Sequence, residues 1–163
     1  MENEERLEGK KILIVDDEPD ILETLEELLS MCDVVKASNF DEAKEKMETE
    51  YFDIAILDIM GVDGYRLLDI AKKREIIAVM LTAHALSPED TVKSFKEGAA
   101  SYIPKEEMQN ITTYLNDILE AKDQGKNFWW RWLDRFADYY SKKFTPAWKD
   151  RDKEFWKKFP YYM

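Results

Sequence analysis

At 163 residues, 45% hydrophobic and 36% charged, the chain is long enough for one ordinary globular domain plus an appendage and too apolar for a disordered polymer. Its net charge of −11 argues against nucleic acid as a partner of the whole molecule. The single cysteine, Cys32, excludes an intrachain disulfide and a cysteine-built zinc site, the acidic start Met1-Glu2-Asn3-Glu4-Glu5 does not read as a signal peptide, and no apolar run approaches a membrane span, so the cytoplasm is the expected compartment.

Residues 1–9 read as a frayed polar lead-in. Lys11–Val15 is the first strand, and Pro19 suits the first turn of the helix that follows. In residues 20–30, Ile21, Leu22, Leu25, Leu28 and Leu29 share one helical face. Asp33–Ala37 is a second strand, and Ser38 or Asn39 offers an N-cap for a helix over 41–50. The third strand, over 53–58, runs apolar into Asp58. Gly61 and Gly64 loosen the loop before a helix over 65–73, and residues 76–81 form a fourth strand. Ser87-Pro88-Glu89-Asp90 supplies a cap, a proline and two first-turn acids for a fourth helix ending at Gly98. Residues 101–103 form a short fifth strand, and 106–121 a fifth helix bounded by Gly125. Five strands alternating with five helices predict an α/β fold, a parallel sheet covered on both faces with right-handed crossovers.

Two of these strands end in acid: Asp16, Asp17 and Glu18 after the first, Asp58 after the third. The C-terminal edge of an open parallel sheet is where ligands bind. Carboxylates gathered there repel one another, and a hard divalent cation such as Mg²⁺, which takes oxygen ligands, is the usual remedy. One carboxylate would remain to react.

With Asp16-Asp17 after strand one, Asp58 after strand three, Thr82 after strand four, Tyr102 in strand five and Lys105 just beyond it, the chain resembles the receiver domain of two-component response regulators. The resemblance implies a (βα)5 doubly wound, flavodoxin-like sheet of order 2-1-3-4-5 in a domain over residues 10–124. It implies Asp58 as phosphoacceptor, supplied by a histidine kinase or a phosphotransfer protein. It places Mg²⁺ on Asp16, Asp17, Asp58 and the backbone carbonyl of Met60. Thr82 and Lys105 would contact the phosphoryl oxygens, and Tyr102 would fill the space Thr82 vacates. Such a protein is a phosphoacceptor rather than an enzyme with turnover, limited to self-phosphorylation and slow self-dephosphorylation. His84 reads as a loop residue at the rim of the site, and Cys32 as half-buried packing. Two departures stand out. Glu106 follows Lys105 where receivers usually carry proline, the proline here being Pro104, and the loop from Met60 to Gly64 is short.

Residues 125–163 are unlike a receiver. Residues 126–163 carry ten Lys and Arg against five Asp and Glu, whereas residues 1–125 have a net charge of −16. They also hold all five tryptophans and 14 of the 21 aromatic residues. The spacing predicts a helix over 127–144 with Trp129, Trp132, Phe136, Tyr140 and Phe144 on one face. Thr145-Pro146 then starts a second helix with Trp148, Phe155, Trp156 and Phe159 in its stripe. The pair is too short for a standard DNA-binding output domain. Such aromatic faces pack either on their own receiver or on a second copy as a homodimer. Docking to another protein or a membrane surface, or stacking on single-stranded nucleic acid, are the other readings; DNA and membrane are not expected partners of so acidic a body. Three rivals are a phosphorylation-independent pseudo-receiver, a tail-borne DNA-binding regulator, and a metal-dependent phosphatase-like hydrolase. The last needs a general acid two residues after the nucleophile, where Met60 stands.

Overall fold

Five parallel strands make one sheet in the order β2-β1-β3-β4-β5. They are β1 (Lys11–Val15), β2 (Asp33–Ala37), β3 (Ile54–Asp58), β4 (Ile77–Thr82) and β5 (Ser101–Pro104). The computed structural model describes residues 6–83, 88–132 and 134–136. The helices are α1 (Pro19–Leu28), α2 (Phe40–Thr49), α3 (Gly64–Lys73), α4 (Pro88–Lys96) and α5 (Ile111–Gln124). This is the expected doubly wound α/β fold. The central strands are apolar except for one polar end residue each, Lys11, Asp58 and Thr82, because helices cover both of their faces; every residue of β3 is buried. Register ties the strand ends together, pairing Asp58 with Leu81 and Thr82 with Pro104.

Local chemistry sets the element ends. Asn39 caps α2, its Oδ1 accepting from the Glu42 amide at 2.9 Å. Asp53 stands just before β3 rather than in it and uses Oδ2 to accept from the Lys11 amide at 2.8 Å. Gly125, at φ 68°, closes α5 with the Lys126 amide bonded back to the Ala121 carbonyl at 2.8 Å.

Two expectations are corrected. Residues 6–9 are not frayed: Leu7 is fully buried, Arg6 meets Asp123 at 2.8 Å, and the Gly9 amide donates to the Met31 carbonyl at 3.0 Å. A polar sequence hid one apolar anchor. The fifth helix does not begin at Glu106. Lys105–Asn110 is a 3₁₀ turn that buries Met108, and Asn110, at φ −101° and ψ 18°, interrupts the α path before α5. Cys32 is half-buried as expected, with Sγ 3.3 Å from the Leu7 carbonyl and burial pushing its thiol up to about 11.

The two sheet edges differ. β2 is largely exposed or half-buried along its length, but β5 is wholly buried. Residues 128–132 and 134–136 cover it. Trp129, Trp132 and Phe136 are only 2%, 4% and 2% exposed. The Trp129 indole N–H donates to the Ala99 carbonyl at 2.7 Å and that of Trp132 to the Tyr102 carbonyl at 3.1 Å. Trp129 sets its ring edge-on to Phe95 of α4, and Phe136 packs on Tyr114 of α5, with ring centroids 5.4 and 5.0 Å apart. Arg135 grips Asp117 of α5 with two bonds of 2.9 and 3.1 Å. The residual space at Phe128, Trp132, Arg135 and Phe136 against α5 is about 10 Å³, no more than a single water needs. The start of the extension thus packs on its own receiver. It begins as turns held by Asn127, whose Oδ1 accepts from the Trp129 amide at 2.9 Å, and is helical only from Trp132. The rest of the expected pair of helices, with Tyr140, Phe144, Trp148, Phe155, Trp156 and Phe159, lies outside the described residues, as do His84 and the Ser87 cap.

Candidate functional site

The sheet's C-terminal edge collects Asp16 beyond β1, Asp58 ending β3, Thr82 ending β4 and Lys105 directly after β5. The parallel register forces this, because every strand delivers its last residue to the same edge. Asp16, Asp58 and Thr82 are 0%, 3% and 3% exposed. Lys105 Nζ lies 2.8 Å from Asp16 Oδ2 and 3.3 Å from Asp58 Oδ1, and it also reaches Glu18 Oε1 at 3.5 Å. The lysine therefore enters the site although Glu106, not proline, follows it.

Electrostatics follow from that burial. Desolvation raises the Asp58 carboxyl to about 6, the Asp16 charge adds to the rise, and the Lys105 ammonium opposes it. Desolvation also raises Asp16, against the Lys105 ammonium and the Glu18 amide. Burial pushes the Lys105 ammonium down, but Asp16 and then Asp58 outweigh it and hold the lysine above its ordinary value. Among the described residues, Lys105 is set against four carboxylates, Asp16, Asp17, Glu18 and Asp58, and the pocket is negative.

The residues fit a divalent metal. Oxygens of Asp16, Asp17 and Glu18 lie within 4.8 Å of one another. Asp16 uses Oδ1 to accept from the Glu18 amide at 2.9 Å. Its Oδ2 is buried, with the Lys105 ammonium beside it but no aligned hydrogen-bond donor. Carboxylate oxygens are the ligand type that a hard divalent cation takes. The loop after Asp58 is shaped around the same acids. Gly61 has φ 81°, and a Cβ there would sit 2.5 Å from Asp17 Oδ2; a Cβ on Gly64 would run into the Asp58 carbonyl. The Met60 side chain is 62% exposed on the rim.

Tyr102 is the expected site residue that lies within β5 itself. It is 1% exposed within β5, and its carbonyl is engaged by Trp132. Glu18 belongs to the site more closely than its expected place in the acidic run suggested, since it shares both Lys105 and the acidic cluster. Its signal was its position third in a row of acids after a strand. Asp117, the anchor of the covering segment, had no such signal on an otherwise ordinary helix.

Known proteins resemble this chain in both sequence and shape. The response regulator receiver domain family matches residues 12–116. The sensory transduction protein LytR of Staphylococcus epidermidis is 35% identical over 127 residues, covering 72% of this chain and 49% of that protein. The chain thus spans about half the length of that curated relative. A CheY-like response regulator receiver domain from Methanospirillum hungatei superposes with a TM-score of 0.64 at 29% identity, covering 72% of this chain and 98% of the other. The BeF3-activated DrrB receiver domain superposes with a TM-score of 0.55 at 25% identity, covering 64% of this chain and 95% of the other.

Proposed function

Because the chain belongs to the response regulator receiver domain family, we propose that it takes a phosphoryl group on Asp58 from a histidine kinase or phosphotransfer protein and passes the signal on by changing protein contacts. The observation that carries this is Asp58 itself: a buried carboxylate ending β3, raised to about 6 and 3.3 Å from a lysine ammonium. A carboxyl tuned there is ionised at pH 7 and more basic than a free one, which suits a nucleophile. Phosphoryl transfer asks the protein mainly for positioning and for cations on the equatorial oxygens. An Asp58 oxygen forms the new bond to phosphorus as the donor's P–N or P–O bond breaks, and the leaving group departs with its electron pair.

Asp16, Asp17, Asp58 and the Met60 carbonyl are the proposed Mg²⁺ ligands, with Glu18 at hand. The ion, when bound, neutralises phosphoryl oxygens. Lys105 exchanges its contact with Asp16 for the new phosphoryl group, and the Thr82 hydroxyl, one residue beyond the Asp58 pairing partner, donates to it. Tyr102 is the proposed follower of that movement, giving two discrete packings of the β4–β5 side. Slow self-dephosphorylation is the only turnover in this reading. No helix among the described residues is long and apolar enough to cross a membrane. A homodimer through the extension is a separable part of the reading, and light scattering of the full chain tests it.

The test is intact mass after incubation with Mg²⁺ and a small phosphodonor such as acetyl phosphate. The wild type should gain one phosphoryl group, and Asp58→Asn and wild type in chelator should gain none. A folded wild type that never gains mass with acetyl phosphate or a histidine-kinase phosphodonor would identify a pseudo-receiver.

A further inference from the structure

We propose that residues 128–132 and 134–136 form a strap, bound in cis over β5, whose hold phosphorylation of Asp58 loosens; the proposal rests on the phosphoacceptor reading above. The strap sits on three separate elements at once. Trp129 meets Phe95 of α4, the Trp132 indole N–H bonds to the Tyr102 carbonyl of β5, and Arg135 and Phe136 hold Asp117 and Tyr114 of α5. It therefore measures the spacing of β5 against α4 and α5.

The same strand ends in the site. Pro104 pairs with Thr82, and Lys105 reaches Asp16 and Asp58, only three residues beyond the carbonyl that Trp132 holds. A phosphoryl group on Asp58 gives Lys105 and Thr82 a new common target. Lys105 then leaves Asp16, beyond β1, for a nearer partner beyond β3, which resets the end of β5 against the strap. The two anchors on α5 do not move with it. The fork of Arg135 on Asp117 is rigid in plane, and the gap between Trp132, Arg135 and Phe136 and α5 holds only about 10 Å³. Close-packed contacts of this kind are kept or lost rather than stretched. The covered face also has a defined appetite: edge carbonyls at Ala99 and Tyr102 and a carboxylate at Asp117 match two indole N–H donors and a guanidinium spaced three residues apart, at Trp129, Trp132 and Arg135.

Hydrogen exchange on the full chain with Mg²⁺, with and without beryllofluoride, tests this. Beryllofluoride should slow exchange in the loop after Asp58 and speed it in the strap by at least about fivefold, the lower end of ordinary coupling between sites. Coupling is reciprocal, so Arg135→Gln, which removes the fork, should raise the affinity for beryllofluoride. Trp132→Phe, which keeps a ring but removes the indole donor, should shift it the same way. If the loop responds while the strap is unchanged or better protected, the strap proposal is overturned and the phosphoacceptor reading stands. If neither responds, both fall. Folded variants that bind beryllofluoride no more tightly than wild type also overturn it.

Discussion

Removing the charge of Asp58 should make the metal-free protein more stable. The carboxylate is 3% exposed and has Asp16 and Asp17 as charged neighbours, and Lys105 offsets only part of that cost. A rise from 3.8 to about 6 corresponds to about 3 kcal/mol against the ionised native state at pH well above 6. Asparagine keeps the shape without the charge, so Asp58→Asn should gain roughly 2–3 kcal/mol at pH 7.5 in chelator. The pH dependence fixes the sign. Between about pH 3.8 and 6 the folded wild type holds a proton that the unfolded chain has released, so its stability falls as pH rises through that window. The advantage of Asp58→Asn should therefore be full at pH 7.5, smaller at pH 5, and gone toward pH 4. Urea unfolding of both proteins in chelator at these pH values measures it. Added Mg²⁺ should narrow the gap by stabilising the wild type through mass action. A variant no more stable than wild type at pH 7.5, or an advantage independent of pH, would refute the reasoning.

Other substitutions probe the rest of the site and the strap. Lys105→Met leaves Asp16 and Asp58 buried without their cation; it should cost about 3 kcal/mol at pH 7.5 in chelator and less at pH 5, by the same unfolding assay. Gly64→Ala, whose Cβ meets the Asp58 carbonyl backbone, should lower stability by about 1–3 kcal/mol and distort the loop, read by unfolding and by loss of beryllofluoride binding. Gly61→Ala, strained at φ 81° and crowding Asp17, should weaken Mg²⁺ binding in a titration more than it weakens the fold. Trp132→Ala should cost about 3–5 kcal/mol. Because its ring is buried within its own chain, that loss should not depend on protein concentration.

The sequence carried those features whose cause is local. The apolar run Ile54–Asp58 needs only its own residues to announce a buried strand, and alternation with five helical patterns then leaves few topologies. Asp16 and Asp58 could be chosen because the end of a strand is visible in one dimension, and a parallel sheet brings all such ends to one edge; Thr82 and Lys105 were chosen through the resemblance to receivers. Element boundaries were less visible: the 3₁₀ turn Lys105–Asn110 keeps a helical composition while Asn110 breaks its geometry, and Leu7 is an anchor only because the core has room for it.

What the chain alone determined, then, was the fold and which acids line its edge, since periodicity and strand-end chemistry are properties of neighbouring residues. The tertiary structure alone decided how those groups are tuned and what covers β5. The rise of Asp58 comes from burial and from Asp16, 42 positions away in the chain. The seat of Trp132 is a carbonyl 30 positions back. The aromatic face was evident from spacing, but its choice between its own receiver and a second copy was not, because a stripe of rings carries no address. The address is supplied by the carbonyls of Ala99 and Tyr102 and the carboxylate of Asp117, which converge only once the sheet edge and α5 stand side by side.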